Sequence, residues 1–158
     1  MVETNGKATS TRSVFSREVA VSIHIQAEPE YLWALLTNAN NFPRWNSTIL
    51  RIDGTIAMGE KIRLIASIAP QRTFKLKIVG FAPNQKMVWQ DGAAPMFKGI
   101  RRFTRTPQAD KSTDFTMVET FSGLMMPLVA GSLPDFRPVF EQYAADLKRE
   151  AERNNRSV

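Results

Sequence analysis

The stretch IHIQAEPEYLWALLTNANNFPRWNSTI, residues 23–49, contains a strand end, a short helix, an aromatic turn and the start of another strand. Pro29 suits the first turn of a helix, where its missing N–H has no cost. Three leucines at helical spacing then provide an apolar stripe: Leu32, Leu35 and Leu36. Trp45 follows in a polar turn. A tryptophan there indicates either that the turn packs on a core or that Trp45 contacts a bound apolar molecule.

On the N-terminal side of this stretch, residues 16–26 alternate with a period of two, which predicts a half-buried strand. Six further segments after Trp45 have one apolar face each and are separated by turn residues. They read STILRIDG, GEKIRLIASI, RTFKLKIVGF, QKMVWQ, FKGIRRFTRT and STDFTMVETF. Short strands of even spacing predict an antiparallel meander of about seven strands.

The C-terminal segment changes to a helical period. Apolar side chains recur at helical spacing over about 19 residues, and they are Phe136, Val139, Phe140, Tyr143 and Leu147. Asp135 is the expected N-cap of this helix. A sheet with one apolar face and one long apolar helix must pack on each other, so the fold class is α+β. A strongly curved sheet around that helix would leave a cavity between them.

Length and composition limit the classes of function. The chain has 158 residues, no cysteine, one histidine and a net charge of +6. One domain is expected over residues 15–154, with a flexible N-terminal tail over 1–14 and a C-terminal tail over 155–158. Thiolate sites and sites needing two imidazoles are excluded. No phosphate-cradling or dinucleotide-binding motif is present, so no cofactor and no metal are expected.

Partners are predicted from the same features. The basic residues are dispersed and match no nucleic-acid-binding signature, so no nucleic-acid partner is expected. No apolar run approaches membrane-spanning length, and no secretory signal precedes the domain. We therefore expect a cytoplasmic protein without an integral membrane segment, monomeric or weakly dimeric, whose partner is a small hydrophobic molecule.

The order of elements and several motifs resemble a known superfamily. The matching residues are Ala27, Pro29, Glu30, Trp33, Trp45 and Asn46, then Trp89, Gly99, Phe103, Glu119, Phe121 and Gly123, and the closing DLKREAE. They resemble the START-like superfamily called SRPBCC, within it the polyketide cyclase/dehydrase and lipid-transport group. The resemblance covers residues 16–153. It implies a helix-grip fold, a ligand between helix and sheet, and Trp45 near the cavity mouth.

The period-two rule places Arg101 and Glu119 on inward strand faces. If the loop near residue 109 joins antiparallel neighbours, paired residue numbers should sum to roughly 218, and Arg101 should lie diagonally near Glu119. Two interpretations remain open. The residues form a satisfied buried ion pair, or Arg101 binds a ligand carboxylate, phenolate or enolate while Glu119 orients it. His24, on the opposite face of its strand, is predicted to be outward and non-catalytic.

Sixteen side chains are candidate ligand contacts: Trp33, Trp45, Leu64, Leu76, Trp89, Phe97, Arg101, Phe103, Met117, Glu119, Phe121, Met125, Met126, Phe136, Phe140 and Tyr143. The segment GLMMPLVAGSLP, residues 123–134, forms either a mobile gate or a packed connection.

Three functions are compatible with these features. The first is binding of a small hydrophobic or amphipathic molecule in the cavity. The second is an enzyme of the cyclase/dehydrase kind, with Arg101, Glu119 and Tyr143 as candidate catalytic residues. The third is a basic interaction surface on the outer face of the sheet, formed by Arg63, Lys75 and Lys77. The sequence leaves open whether the protein is an enzyme.

Overall fold

One antiparallel sheet and one long C-terminal helix form most of the protein in the computed structural model, which describes residues 3–153. The strands are β1 (Asn5–Arg12), β2 (Ser16–Ile25), β3 (Ile49–Asp53), β4 (Lys61–Ala66), β5 (Phe74–Ala82), β6 (Lys86–Ala93), β7 (Phe97–Pro107) and β8 (Thr113–Ser122). The helices are α1 (Pro29–Thr37), α2 (Phe42–Trp45), α3 (Met126–Val129) and α4 (Arg137–Arg153). Their order confirms the α+β helix-grip fold.

Across the described residues the sheet has eight strands in the order β1-β2-β8-β7-β6-β5-β4-β3, one more than expected. The additional strand is β1, which pairs with β2 where a flexible tail was predicted. Its sequence, NGKATSTR, lacks an apolar face. The segment nevertheless forms a strand, because the backbone of β2 provides its hydrogen bonds. The Ala8 N–H also donates to the Glu141 carboxylate on α4 (3.1 Å). Residues 1–2 and the expected tail over 155–158 lie outside the described residues.

The inner face of the sheet packs against α4. Each strand directs alternate side chains inward, as the period-two pattern predicted. Phe103, Phe115 and Met117 are almost completely buried there, and Phe140, Tyr143 and Leu147 of α4 cover them. The helix begins at Arg137, whose backbone N–H donates to the Asp135 carboxylate (3.0 Å). Asp135 therefore satisfies one of the free N–H groups of the first turn. It lies one residue before the N-cap position, which Phe136 occupies instead of the predicted Asp135, because the Phe136 carbonyl accepts from the Phe140 N–H (3.0 Å).

A buried carboxylate fastens the aromatic turn to α4. Asp146 has no exposed surface and accepts from the Ser47 backbone N–H (2.8 Å) and hydroxyl (2.6 Å). Its other oxygen accepts from Gln142 (2.8 Å) and Arg149 (3.0 Å). Because these bonds join the segment after α2 to the helix, they fix one end of the space between sheet and helix.

Trp45 fills that end of the core. Only 3% of its surface is exposed, and its ring lies 5.0 Å from Phe42 and 6.2 Å from Tyr143, centre to centre. Of the two alternatives for Trp45, the structure shows packing on the core, and its position near a cavity mouth stays a prediction. The turn that carries Trp45 folds inward onto α4, so the indole fills space between aromatic rings.

Candidate functional site

A cavity of about 550 Å³ lies between the inner face of the sheet and α4. Its walls come from β3 to β8, from α4 and from the loops at one end of the sheet. Most lining side chains are apolar or aromatic. The charged ones are Arg72, Asp91, Arg101 and Glu119. A largely apolar space with few charged groups is suited to a small amphipathic molecule.

Most of the predicted contact residues do line this cavity. They are Leu64, Leu76, Trp89, Phe97, Arg101, Met117, Glu119, Phe121, Met125, Phe136, Phe140 and Tyr143. Those on strands were predicted because every second side chain of a strand points to the same face, and those on α4 because apolar residues recur there at helical spacing. Their role as ligand contacts stays a prediction.

Four predicted residues lie outside the lining: Trp33, Trp45, Phe103 and Met126. Trp33 packs against Phe81 with ring centres 5.5 Å apart, and Phe103 lies beneath Trp89 at 4.7 Å. Met126 is 1% exposed. All four are large apolar side chains, but only Phe103 lies on an inward strand face, and parity predicts no direction for the other three. Neighbouring side chains cover all four, and sequence periodicity does not predict which side chains will be covered.

Other lining residues were not predicted: Thr48, Ile49, Ala66, Ile68, Ala69, Arg72, Phe74, Asp91, Gly99, Val129, Ser132, Leu133, Pro134 and Val139. Ala66 and Phe74 share the inward parity of Leu64 and Leu76, so the same rule could have found them. Arg72 lies in the turn between β4 and β5, where no periodicity indicates direction.

Arg101 and Glu119 form an ion pair in the cavity wall. Arg101 Nε lies 2.5 Å from Glu119 Oε2, and their side chains are 22% and 14% exposed. The two residues are direct register partners, whereas a diagonal relation was predicted. The estimate placed the turn centre near residue 109. The loop runs from Gln108 to Ser112, so its centre is one residue later.

The guanidinium of Arg101 retains hydrogen-bonding capacity. Its central carbon lies 5.1 Å from the centre of the Phe140 ring, a cation–π arrangement. Glu119 occupies Nε, and within residues 3–153 no protein group accepts from Nη1 or Nη2. These two amines are the parallel donors that carboxylates and phosphates accept. Arg101 can therefore bind a ligand anion while remaining paired with Glu119.

Tyr143 contributes a neutral hydroxyl beside this pair. Burial raises the pKa of Tyr143, and the positive charge of Arg101 opposes that shift only in part. The phenol therefore stays protonated at neutral pH and cannot act as a base. Its oxygen has no hydrogen-bond partner among the described residues, and neither has Nε1 of Trp89, which pairs in register with Arg101.

The remaining candidates lie away from the cavity. His24 is on the outer face of β2, with Nδ1 2.6 Å from Asp114 Oδ1, and it is not part of the lining. Arg63, Lys75 and Lys77 are exposed on the outer face of β4 and β5. Arg63 and Lys75 are direct register partners. The basic interaction surface stays a prediction.

The 123–134 segment has one side toward the cavity and one away from it. Met125 and Val129 line the cavity, whereas Leu124 and Leu128 are 57% and 77% exposed. Backbone N–H groups of Leu124 and Met125 donate to carbonyls of the β6–β7 turn (both 2.9 Å). The segment is thus attached at its start, and the mobile-gate interpretation stays a prediction. No helix within residues 3–153 has the length and apolar character needed to cross a membrane.

Comparison with solved structures shows the same fold in several bacterial proteins. A protein from Mesorhizobium loti superimposes with a TM-score of 0.67 at 20% identity, covering 87% of this chain and 98% of that one. A START superfamily protein from Mycobacterium smegmatis gives 0.64 at 20% identity, with coverages of 87% and 98%. A conserved protein of unknown function from Enterococcus faecalis gives 0.65 at 17% identity, with coverages of 92% and 77%.

The sequence comparison with curated proteins gave no match. A family model described as "Polyketide cyclase / dehydrase and lipid transport" matches residues 16–152. This range runs from β2 almost to the end of α4 and contains the whole cavity wall. With the curved sheet, the long helix and the space between them in place, the chain belongs to the polyketide cyclase/dehydrase and lipid transport family.

Proposed function

We propose that the protein binds a small amphipathic molecule with an anionic end, held in the cavity between the sheet and α4. The observation that carries the proposal is Arg101, a partly buried cation with two unoccupied amines in an otherwise largely apolar wall. A cavity of about 550 Å³ falls within the ~300–1,000 Å³ typical of small-molecule sites. The apolar body of the ligand would lie along the inner strands.

Three aromatic rings form one side of the proposed site. Phe121 stacks with Phe97 at 6.1 Å on one side and with Phe136 at 5.2 Å on the other, with interplanar angles of 24° and 26°. All three line the cavity. Such a wall offers flat apolar surface to an aliphatic chain or to an aromatic ring, so the ligand class includes fatty acids and aryl acids.

The first experiment is native mass spectrometry of the protein purified under mild conditions from its own host. We expect a bound molecule of defined mass, released by denaturation. Titration with a carboxylated fluorescent probe and a fatty acid series would then measure affinity. Failure to bind any fatty acid, sterol or aromatic acid at micromolar concentration would contradict the proposal.

Filling the cavity should reduce binding. Leu76→Trp places an indole on the inner face of β5, where it occupies space the ligand needs, so we expect probe affinity to fall about tenfold or more. Val79→Trp is the matched control, because Val79 is on the same strand but outside the lining and 36% exposed. Equal affinities of both variants and the wild type would place the ligand elsewhere.

An enzymatic function is the second candidate, favoured by the grouping of Arg101, Glu119 and Tyr143 in one wall of the cavity. Glu119 would take a proton from a methylene carbon, and Arg101 would stabilise the resulting enolate, which attacks a ketone carbon of the same chain while neutral Tyr143 donates a hydrogen bond to the ketone oxygen. The new alkoxide takes that proton back from Glu119, and the hydroxyl then leaves as water together with a second proton from the adjacent carbon. We expect a short poly-β-ketone to lose water on the wild type. Glu119→Gln should lower that turnover at least about 100-fold while the substrate still binds. Unchanged turnover in Glu119→Gln would exclude this mechanism.

A further inference from the structure

Four chain segments surround the open end of the cavity, and we call them the rim: residues 13–15, 67–73, 93–97 and 123–134. Backbone hydrogen bonds join three of them, from Gly123 N–H to the Phe15 carbonyl (3.1 Å) and from Leu124 N–H to the Pro95 carbonyl (2.9 Å). The fourth, 67–73, meets the others across the opening, where Ile68 and Arg72 line the cavity together with Leu133.

The rim is almost free of charge. Arg72 is the only charged residue in the four segments, although charged residues make up 23% of the chain. Six of the nine large hydrophobic side chains that are exposed within residues 3–153 belong to the rim. They are Val14, Phe15, Ile68, Met96, Leu124 and Leu128. Exposed apolar side chains gathered in one place indicate a surface that contacts another apolar phase.

Cations adjoin the rim on the strands behind it. Arg12 and Arg17 flank the first segment, and Lys98 follows the third. Two carboxylates also lie within two positions of the rim: Asp135, which is paired with Arg137 (2.9 Å), and Asp91, which lines the cavity. The surface thus presents apolar side chains at its tip and positive charge behind them. A bilayer with anionic lipid has the complementary arrangement, because its acyl chains lie beneath a negatively charged headgroup layer. A second copy fits less well, since the four rim segments contain no acidic residue that could pair with the cations of the other copy.

We propose that the rim docks on phospholipid surfaces that contain anionic lipid. The apolar tips enter the boundary between headgroups and acyl chains, and the adjoining cations lie at the headgroup level. Because the cavity opens inside the rim, a hydrophobic ligand passes between cavity and bilayer without crossing water. This docking goes beyond the proposed ligand binding and is tested separately from it.

The test is flotation with vesicles of phosphatidylcholine mixed equally with phosphatidylglycerol. We expect the wild type to float with the vesicles. Leu124→Asp with Leu128→Asp should lower the bound-to-free ratio about tenfold or more, because both side chains are exposed and neither lines the cavity. Met58→Asp is the matched control, since Met58 is 59% exposed but lies in the β3–β4 loop outside the rim. Its partitioning should equal that of the wild type.

Two further measurements separate the possible results. Probe binding in solution should be unchanged in the double aspartate variant, so a failure of docking is distinguishable from a failure of ligand binding. Leu124→Ser with Leu128→Ser repeats the test with a milder change. No vesicle binding by the wild type, or equal binding by wild type and double variants, would overturn the proposal. Dimerisation of the wild type that the double variant abolishes, without vesicle binding, would assign the rim to a second copy instead.

Discussion

Replacing Arg101 with methionine is expected to weaken binding of a carboxylated ligand at least about 100-fold. The variant loses two charge-assisted hydrogen bonds to the ligand carboxylate, each of which contributes roughly 1.5–3 kcal/mol to binding. Arg101 is suited to this role because Glu119 occupies only Nε, and both amines remain for the ligand. Isothermal titration with a fatty acid and with the corresponding alcohol measures the effect. The alcohol should bind wild type and variant with affinities that differ by less than about threefold.

The single substitution leaves Glu119 partly buried without its partner, which itself destabilises the fold. The double change Arg101→Met with Glu119→Met removes both charges and leaves an apolar wall of similar volume. We expect this variant to be about as stable as the wild type, to bind the alcohol and to have lost its preference for the carboxylate. Arg51→Met is a control, since Arg51 is an exposed arginine paired with Asp53 (2.9 Å). Equal loss of acid and alcohol would show that Arg101 supports only the fold.

Asp146→Ala is expected to lower the free energy of unfolding by about 3 kcal/mol. The substitution leaves partly buried donors, the N–H and hydroxyl of Ser47 among them, without their acceptor, and each fully unsatisfied donor would cost roughly 1–3 kcal/mol. Urea denaturation at pH 7 measures the change. Asp53→Ala is the matched control, because its carboxylate is 51% exposed and its ion pair should contribute at most about 1 kcal/mol. Similar losses in both variants would contradict the role given to Asp146.

The same carboxylate should make stability depend on pH. Burial alone would raise the pKa of Asp146, but the hydroxyl and N–H of Ser47, with Gln142 and the charge of Arg149, leave it below its usual value. The ionised form therefore stabilises the fold above the unfolded-state pKa of about 4. That contribution is lost as the pH falls through the lower folded-state pKa. The stability difference between wild type and Asp146→Asn should thus stay constant from pH 7 to about pH 5 and shrink below about pH 4.

Much of the candidate site could be predicted because strand periodicity is a local property. Each of Leu64, Leu76, Trp89 and Met117 lies on the apolar face of its own strand, and the structure brings all four into one wall. The pairing of Arg101 with Glu119 was predicted to within a small error of register. That error arose in the Gln108–Ser112 loop, where Lys111 adopts a positive φ of 67° and the centre of the turn is not evident from composition.

Strand β1 and the rim could not be predicted in the same way. Residues 5–12 have no apolar alternation, and they form a strand because the free edge of β2 offers them hydrogen bonds. The rim combines four segments that are far apart in the chain. Each is only a turn or connection when taken alone, and the exposed apolar patch arises when the sheet brings the turns to one end.

Trp45 and Trp89 illustrate the difference between what local sequence determines and what only the tertiary structure decides. Trp89 lies on the apolar face of its strand by pattern, whereas Trp45 follows in a polar turn for which no periodicity predicts a direction. Alternation with helical period was sufficient to predict the α+β class and the inward strand faces. Whether an inward side chain is covered or open to a cavity depends on how far the sheet curves around α4. The curvature of the sheet around α4 is set by contacts between residues about a hundred positions apart in the chain, such as the contact of Ser47 with Asp146. Both indoles are almost fully buried, at 3% exposed for Trp45 and 2% for Trp89, but Trp45 packs among aromatic rings whereas Trp89 lines the cavity.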